Sequence, residues 1–145
     1  MKNIKKNEGF TLIEILVVIG IIAVLATIVL IAINPARQFA QANNSQRSSN
    51  VNAILNAIGQ YTADNKGALP TLPTGEVDGS LCSDLVPTYI PAIPTDPKSN
   101  SKGASIATCS DVDTGDVRYD VSVTGGRVTI TAPLAELSET ISVTR

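Results

Sequence analysis

The sequence predicts an α+β protein: a long N-terminal helix, apolar then amphipathic, set against a small C-terminal antiparallel sheet. Three observations carry this prediction. Residues 10–33 form an apolar run broken by one charge, Glu14. Val51, Ile54, Leu55, Ile58 and Tyr61 recur at helical spacing on one face. Near the C-terminus, Val117, Tyr119, Val121 and Val123 alternate with polar residues, and Gly125-Gly126 leads into a second alternating run, Val128, Ile130 and Ala132.

The apolar run comes first. Its roughly 24 residues, rising about 1.5 Å each, suffice for a helix crossing a hydrocarbon core of about 30 Å. It is longer than the apolar core of a secretory signal and has its small residue, Gly9, in front rather than behind. Lys2, Lys5 and Lys6 precede it, so the excess of basic residues puts the N-terminus in the cytoplasm and residues 34–145 outside. A charge inside such a run costs roughly 2.5–3.5 kcal/mol on insertion scales, which marks Glu14 as a functional residue.

Asn34-Pro35 follows. Proline removes a backbone donor and Asn is a good cap, so the pair can kink a continuing helix or start a new one. A kinked continuation at Pro35 is expected, giving one helix from about residue 10 to about residue 64, stopped by Gly67. Within it, residues 41–50 are almost wholly polar, which suits either a solvated stretch or a polar seam toward neighbours.

Within a loop region over residues 65–116, the composition shifts from Ala68 to Ser105 toward Pro, Thr, Ser and Gly. Prolines at 87, 91 and 94 exclude a central strand or helix interior there, so an extended segment is expected along the amphipathic helix, pinned by Tyr89, Ile90 and Ile93. In an oxidising compartment Cys82 and Cys109 have one possible bridge, worth about 3–4 kcal/mol by loop closure. Residues 117–145 form the sheet. The Gly-Gly turn sets Thr124 opposite Arg127, Val123 opposite Val128, Val121 opposite Ile130 and Tyr119 opposite Ala132, with a third strand expected over 140–143.

Composition narrows the function. The chain has 145 residues, net charge −2, no His and no Trp. Loss of His removes the commonest general acid or base near neutrality, no Ser or Cys nucleophile has an evident base, and no polybasic patch suits sequence-specific nucleic-acid binding. Five aromatics, Phe10, Phe39, Tyr61, Tyr89 and Tyr119, are too few for a conducting stack. An enzyme is not expected.

The N-terminal residues resemble the type III signal of the type IV pilin family, shared with the pseudopilins of type II secretion. The matching features are a short Lys-containing leader, Gly9, Phe10, then Thr11-Leu12-Ile13-Glu14 and an apolar helix. The resemblance implies a ladle-shaped pilin fold and division into a cytoplasmic leader 1–9, a transmembrane and assembly helix 10–33, an amphipathic helix 34–64, a loop region 65–116 and a sheet 117–145. It implies cleavage between Gly9 and Phe10 by a prepilin peptidase, then N-methylation of Phe10. Glu14 would form an assembly salt bridge with a neighbour's Phe10 amine. The implied product is a homo-oligomeric helical filament whose subunit is membrane-anchored before assembly and extracellular afterwards. A type IV pilus for adhesion, twitching motility or DNA uptake is the leading reading, a type II secretion pseudopilin the alternative, and a membrane-anchored binding module a remote third.

Two features depart from the family. Its helix-breaking proline commonly lies about one turn earlier than Pro35, and its cysteine pair often brackets the C-terminal end. One cluster stays open: Asp111, Asp113 and Asp116 offer three carboxylates in a turn, as calcium requires, yet such acidic turns are common and this one lacks an EF-hand's distal glutamate. No other cofactor is expected.

Overall fold

The computed structural model describes residues 9–112 and 116–145, with Asp111 described in its backbone only. The chain divides into an N-terminal unit ending at Gln38 and a second unit, Phe39–Arg145.

In the first unit, helix α1 spans Leu12–Ala32. Leu, Ile and Val occupy the whole of its circumference, so it has no polar face, and none of its residues is buried within the chain. Its 21 residues, almost all of them apolar, make it long and apolar enough to cross a membrane.

α1 stops where Ile33 turns extended, at φ −96° and ψ 112°. Helix α2, Pro35–Asp64, then begins with its own cap: the Asn34 side-chain oxygen accepts the Arg37 N–H at 3.2 Å, and the Asn34 carbonyl accepts the Gln38 N–H at 3.2 Å. The single kinked helix expected across Pro35 is therefore two helices. Proline disfavours helical geometry in the residue before it and is itself well suited to a first helical position, so Asn34-Pro35 starts a helix more readily than it bends one.

In the second unit α2 turns a long inner face to the core. Val51, Ile54, Leu55, Ala57 and Ile58 are buried there. The helix ends as expected, with Lys66 and Gly67 both at positive φ and the Gly67 N–H donated to the Thr62 carbonyl at 2.8 Å.

The loop region holds more regular structure than its composition suggests. Strand β1 (Gly75–Glu76) and helix α3 (Gly79–Leu85) lie ahead of the proline-studded segment expected to be extended, and residues 86–89 of that segment form turns instead. α3 forms because Asp78 caps it, accepting the N–H groups of Ser80 at 3.0 Å and Leu81 at 3.2 Å, while Leu81, Cys82 and Leu85 turn inward on one face. A disulfide joins Cys82 to Cys109, which opens a 3₁₀ turn at Cys109–Asp111. Val86-Pro87 is cis. Beyond it Ile90 and Ile93 enter the core, and Tyr89 meets Tyr61 edge-on at 5.5 Å.

Strands β2 (Asp120–Thr124), β3 (Arg127–Ala132) and β4 (Ile141–Thr144) complete a four-stranded antiparallel sheet in the order β1-β2-β3-β4. Thr124 pairs with Arg127, Val123 with Val128 and Val121 with Ile130, as the turn chemistry predicts. Gly125 and Gly126 both take positive φ, the geometry a tight two-residue hairpin requires. Two details differ. Pairing begins at Asp120 rather than at residue 117, because Arg118 sits at φ 63° with its N–H on Glu76 Oε1 at 2.7 Å, and the Val117 and Tyr119 carbonyls serve Asp96 and Val77 instead. Val123 lies 46% exposed at the hairpin end, although Val121 and Val128 on the same face are buried.

The polar stretch 41–50 is neither solvated throughout nor reserved for neighbours. Asn44, Arg47 and Asn50 point inward and hold the loops onto α2. Arg47 is fully buried and grips Asp96, also fully buried, through Nε at 2.7 Å and Nη2 at 3.1 Å. Its Nη1 donates to Asn44 Oδ1 at 2.9 Å and to Glu136 Oε2 at 3.0 Å. Glu136 also accepts from Lys98 Nζ at 2.6 Å and Asn43 Nδ2 at 2.9 Å.

Asn44 uses its amide in full, accepting from Arg47 and the Glu136 N–H while donating to the Glu136 carbonyl and to Glu139 Oε2. Asn50 Nδ2 reaches the Thr95 carbonyl at 3.1 Å and the Tyr119 hydroxyl at 2.9 Å. Burial acts against the Arg47 charge, yet Asp96 and Glu136 outweigh it and hold the guanidinium above its ordinary pKa.

Candidate processing and assembly site

Gly9 and Phe10 lie exposed in irregular backbone immediately before α1. Thr11 is extended, at φ −80° and ψ 152°, and serves as the N-cap. The Gly9-Phe10 peptide bond thus stands outside the helix, where an extended chain can enter a protease cleft. Among the described residues beyond its chain neighbours, no heavy atom lies within 4 Å of a Cβ placed on Gly9.

Glu14 is hydrogen-bonded within its own chain. Its Oε2 accepts the Thr11 N–H at 2.8 Å and the Thr11 hydroxyl at 2.7 Å, and its own N–H donates to Thr11 Oγ1 at 3.3 Å. Thr11 and Glu14 form a reciprocal capping box that satisfies donors the helix start would otherwise leave bare. A carboxylate in the first turn also suits the positive end of the helix dipole. Thr-x-x-Glu before an apolar run is the sequence signature of this arrangement, so Thr11 was legible as Glu14's partner. Among the described residues, the recorded bonds engage only Oε2, which leaves Oε1 for another donor.

The remaining site residues are spread along the chain. Pro35 opens α2, and Cys82–Cys109 tethers α3 to the 3₁₀ turn. Asp113 and the Asp111 side chain, two of the three carboxylates considered for calcium, lie outside the described residues. Among the described residues no group of three His, Cys, Asp or Glu is placed to hold a metal ion.

These features define a class. Residues 4–30 match the family model of the prokaryotic N-terminal methylation motif, and the chain therefore carries a type IV pilin-like prepilin signal. Its apolar N-terminal helix, following amphipathic helix and small antiparallel sheet give it a pilin-like α+β architecture. Such a signal is a prepilin peptidase substrate, belongs to a membrane-anchored precursor and implies assembly into a filament. No curated protein and no solved structure matches the chain.

Proposed function

We propose that this chain is the structural subunit of a type IV pilus, a surface filament for adhesion, twitching motility or DNA uptake. The observation that carries the reading is α1: a 21-residue apolar helix with none of its residues buried in its own chain, headed by a capped carboxylate. In the membrane such a helix is solvated by lipid. Once withdrawn it must bury itself against identical helices, because so much apolar surface is not stable in water.

Cleavage after Gly9 would create a Phe10 amine, subsequently methylated, three residues short of Ile13 and four short of Glu14. A neighbour's amine reaching the Oε1 of Glu14 would turn two charges in an apolar core into a pair. Removing either partner leaves the other unpaired, so the pair also sets the axial stagger between subunits. Before assembly the N-terminus faces the cytoplasm and residues 34–145 lie outside.

The test is immunogold electron microscopy of cells expressing the chain. Micrometre-long surface filaments labelled along their length support the pilus. Short filaments confined to the periplasm would overturn it in favour of a secretion pseudopilus.

A further inference from the structure

The second unit carries an apolar knob and an apolar socket at different places on α2. Phe39 is the knob, 71% exposed and therefore the most exposed large apolar side chain of that unit. The socket is a 220 Å³ cavity at the other end of the helix, floored by the buried Leu55, Ile58 and Val128 and edged by Gly59, Thr62 and Leu69, with Arg145 also lining it. It is large enough for one aromatic ring.

Both features ride on one continuous helix, so their relation is fixed. At about 1.5 Å per residue the socket's centre lies roughly 30 Å along the axis from Phe39, and at about 100° per residue it lies about 150° around it. Knob and socket thus point to nearly opposite sides and cannot meet within one chain. A twofold dimer would have to make both knob-in-socket contacts at once, which patches on nearly opposite sides of the helix do not allow. A contact between different patches of identical subunits is heterologous, and one that carries a large axial translation does not close into a ring but continues as a helical filament.

We infer that Phe39 of one subunit inserts into the Leu55–Ile58–Val128 socket of a second copy of this chain, adding a contact between globular units to the one between apolar helices. The occupant is a second copy because the chain itself supplies the matching knob, offset along the shared axis by a step that parallel subunits can repeat. The contact rests on the filament reading given above. It places one interface high on each subunit and one low, so every interior subunit both gives and receives a ring.

Gly59 makes the inference testable without harming the fold. It lies in the helix, and a Cβ there meets no heavy atom within 4 Å. A leucine at 59 would grow into the open socket while raising helix propensity. In cells making the full chain, Gly59→Leu and Phe39→Ala should each lower filament yield at least tenfold. Processing after Gly9 should stay normal, and the thermal midpoint of the detergent-extracted subunit should be unchanged or, for Gly59→Leu, higher.

Filaments of the doubly substituted Ala42→Cys/Thr62→Cys chain, which keeps both Phe39 and Gly59, treated with a short bis-maleimide, should give a ladder of subunit multiples that neither single variant gives. Positions 42 and 62 lie about 30 Å apart along one helix, too far within one chain for that reagent to bridge. Wild-type filament yield from Gly59→Leu, absence of the ladder, or cross-linking only to a protein of different mass would each overturn the contact while leaving the pilus reading intact. If the unsubstituted chain forms no filament, both fall together.

Discussion

Arg47 and Asp96, neither of them exposed to solvent, meet through two parallel hydrogen bonds of 2.7 and 3.1 Å across 49 residues of sequence. This fork joins the midpoint of α2 to the loop after the third proline turn. Around it Asn44, Glu136 and Lys98 draw in the turn before β4, so one arginine organises three separate segments.

A buried pair of this kind is most damaging when half of it is removed. Arg47→Met should destabilise the subunit by about 3–5 kcal/mol, because Asp96 is left charged and unpaired in a dry site. Adding Asp96→Leu should recover much of that loss. Urea melts of the detergent-solubilised full chain, followed by tyrosine fluorescence, would read both, and a double variant no better than Arg47→Met would refute the pairing as the cause.

Acid should loosen the same region. Lys98 first, then Asn43 and Arg47, hold the Glu136 carboxyl down to about 2 from an ordinary 4.5. A carboxylate depressed on folding adds stability that is fully present above its unfolded value and is lost as pH falls toward the folded one. Stability should therefore decline between about pH 4.5 and pH 2, and Glu136→Gln should flatten that part of the curve. At the other extreme, burial pushes the Tyr119 hydroxyl up to about 12, so Tyr119 stays protonated across the range in which the protein works.

The disulfide region has a steric check of its own. A Cβ on Gly79 would stand 2.8 Å from the Cys109 carbonyl oxygen, a backbone atom that cannot step aside cheaply. Gly79→Ala should cost about 1–3 kcal/mol, as overpacking does. Replacing both cysteines by serine should cost about 3–4 kcal/mol through the closed loop. Thermal melts with and without reductant separate the two effects.

At the N-terminus, Thr11→Val should remove the cap of α1, a loss of about 0.5–2 kcal/mol in helix stability, whereas Thr11→Ser should retain it. Circular dichroism of the N-terminal peptide in micelles checks the direction. Glu14→Ala is expected to leave membrane insertion intact but impair filament assembly. Mass spectrometry of wild-type filaments should find chains beginning at methylated Phe10.

Much of this protein is readable from local chemistry. The hairpin register follows from Gly125-Gly126 and the matched alternation on either side, because a two-residue turn leaves the strands no other alignment. The apolar face from Val51 to Ile58 is visible as a period of 3.6. α3 was less visible. Its cap, Asp78, and its inward Leu81 and Leu85 are present in sequence, but seven residues among prolines and serines give too short a period to stand out. At the start of helix α1, Thr11-x-x-Glu14 is a capping box by spacing alone, and the charge of Glu14 in an apolar run is equally visible, because both depend on residues one turn apart.

The prepilin signal, the membrane-length helix, the hairpin and the pairing available to two cysteines are all legible in the residue order, since each depends on residues close together or on a count that admits one answer. The purpose of the polar stretch 41–50 emerges only once the chain is folded. Asn44, Arg47 and Asn50 find their partners at Asp96, Thr95, Tyr119, Glu136 and Glu139, 45 or more residues away. No local pattern announces such contacts, because a buried charge is tolerable only once the fold has brought its counter-charges and hydrogen-bond partners to the same place.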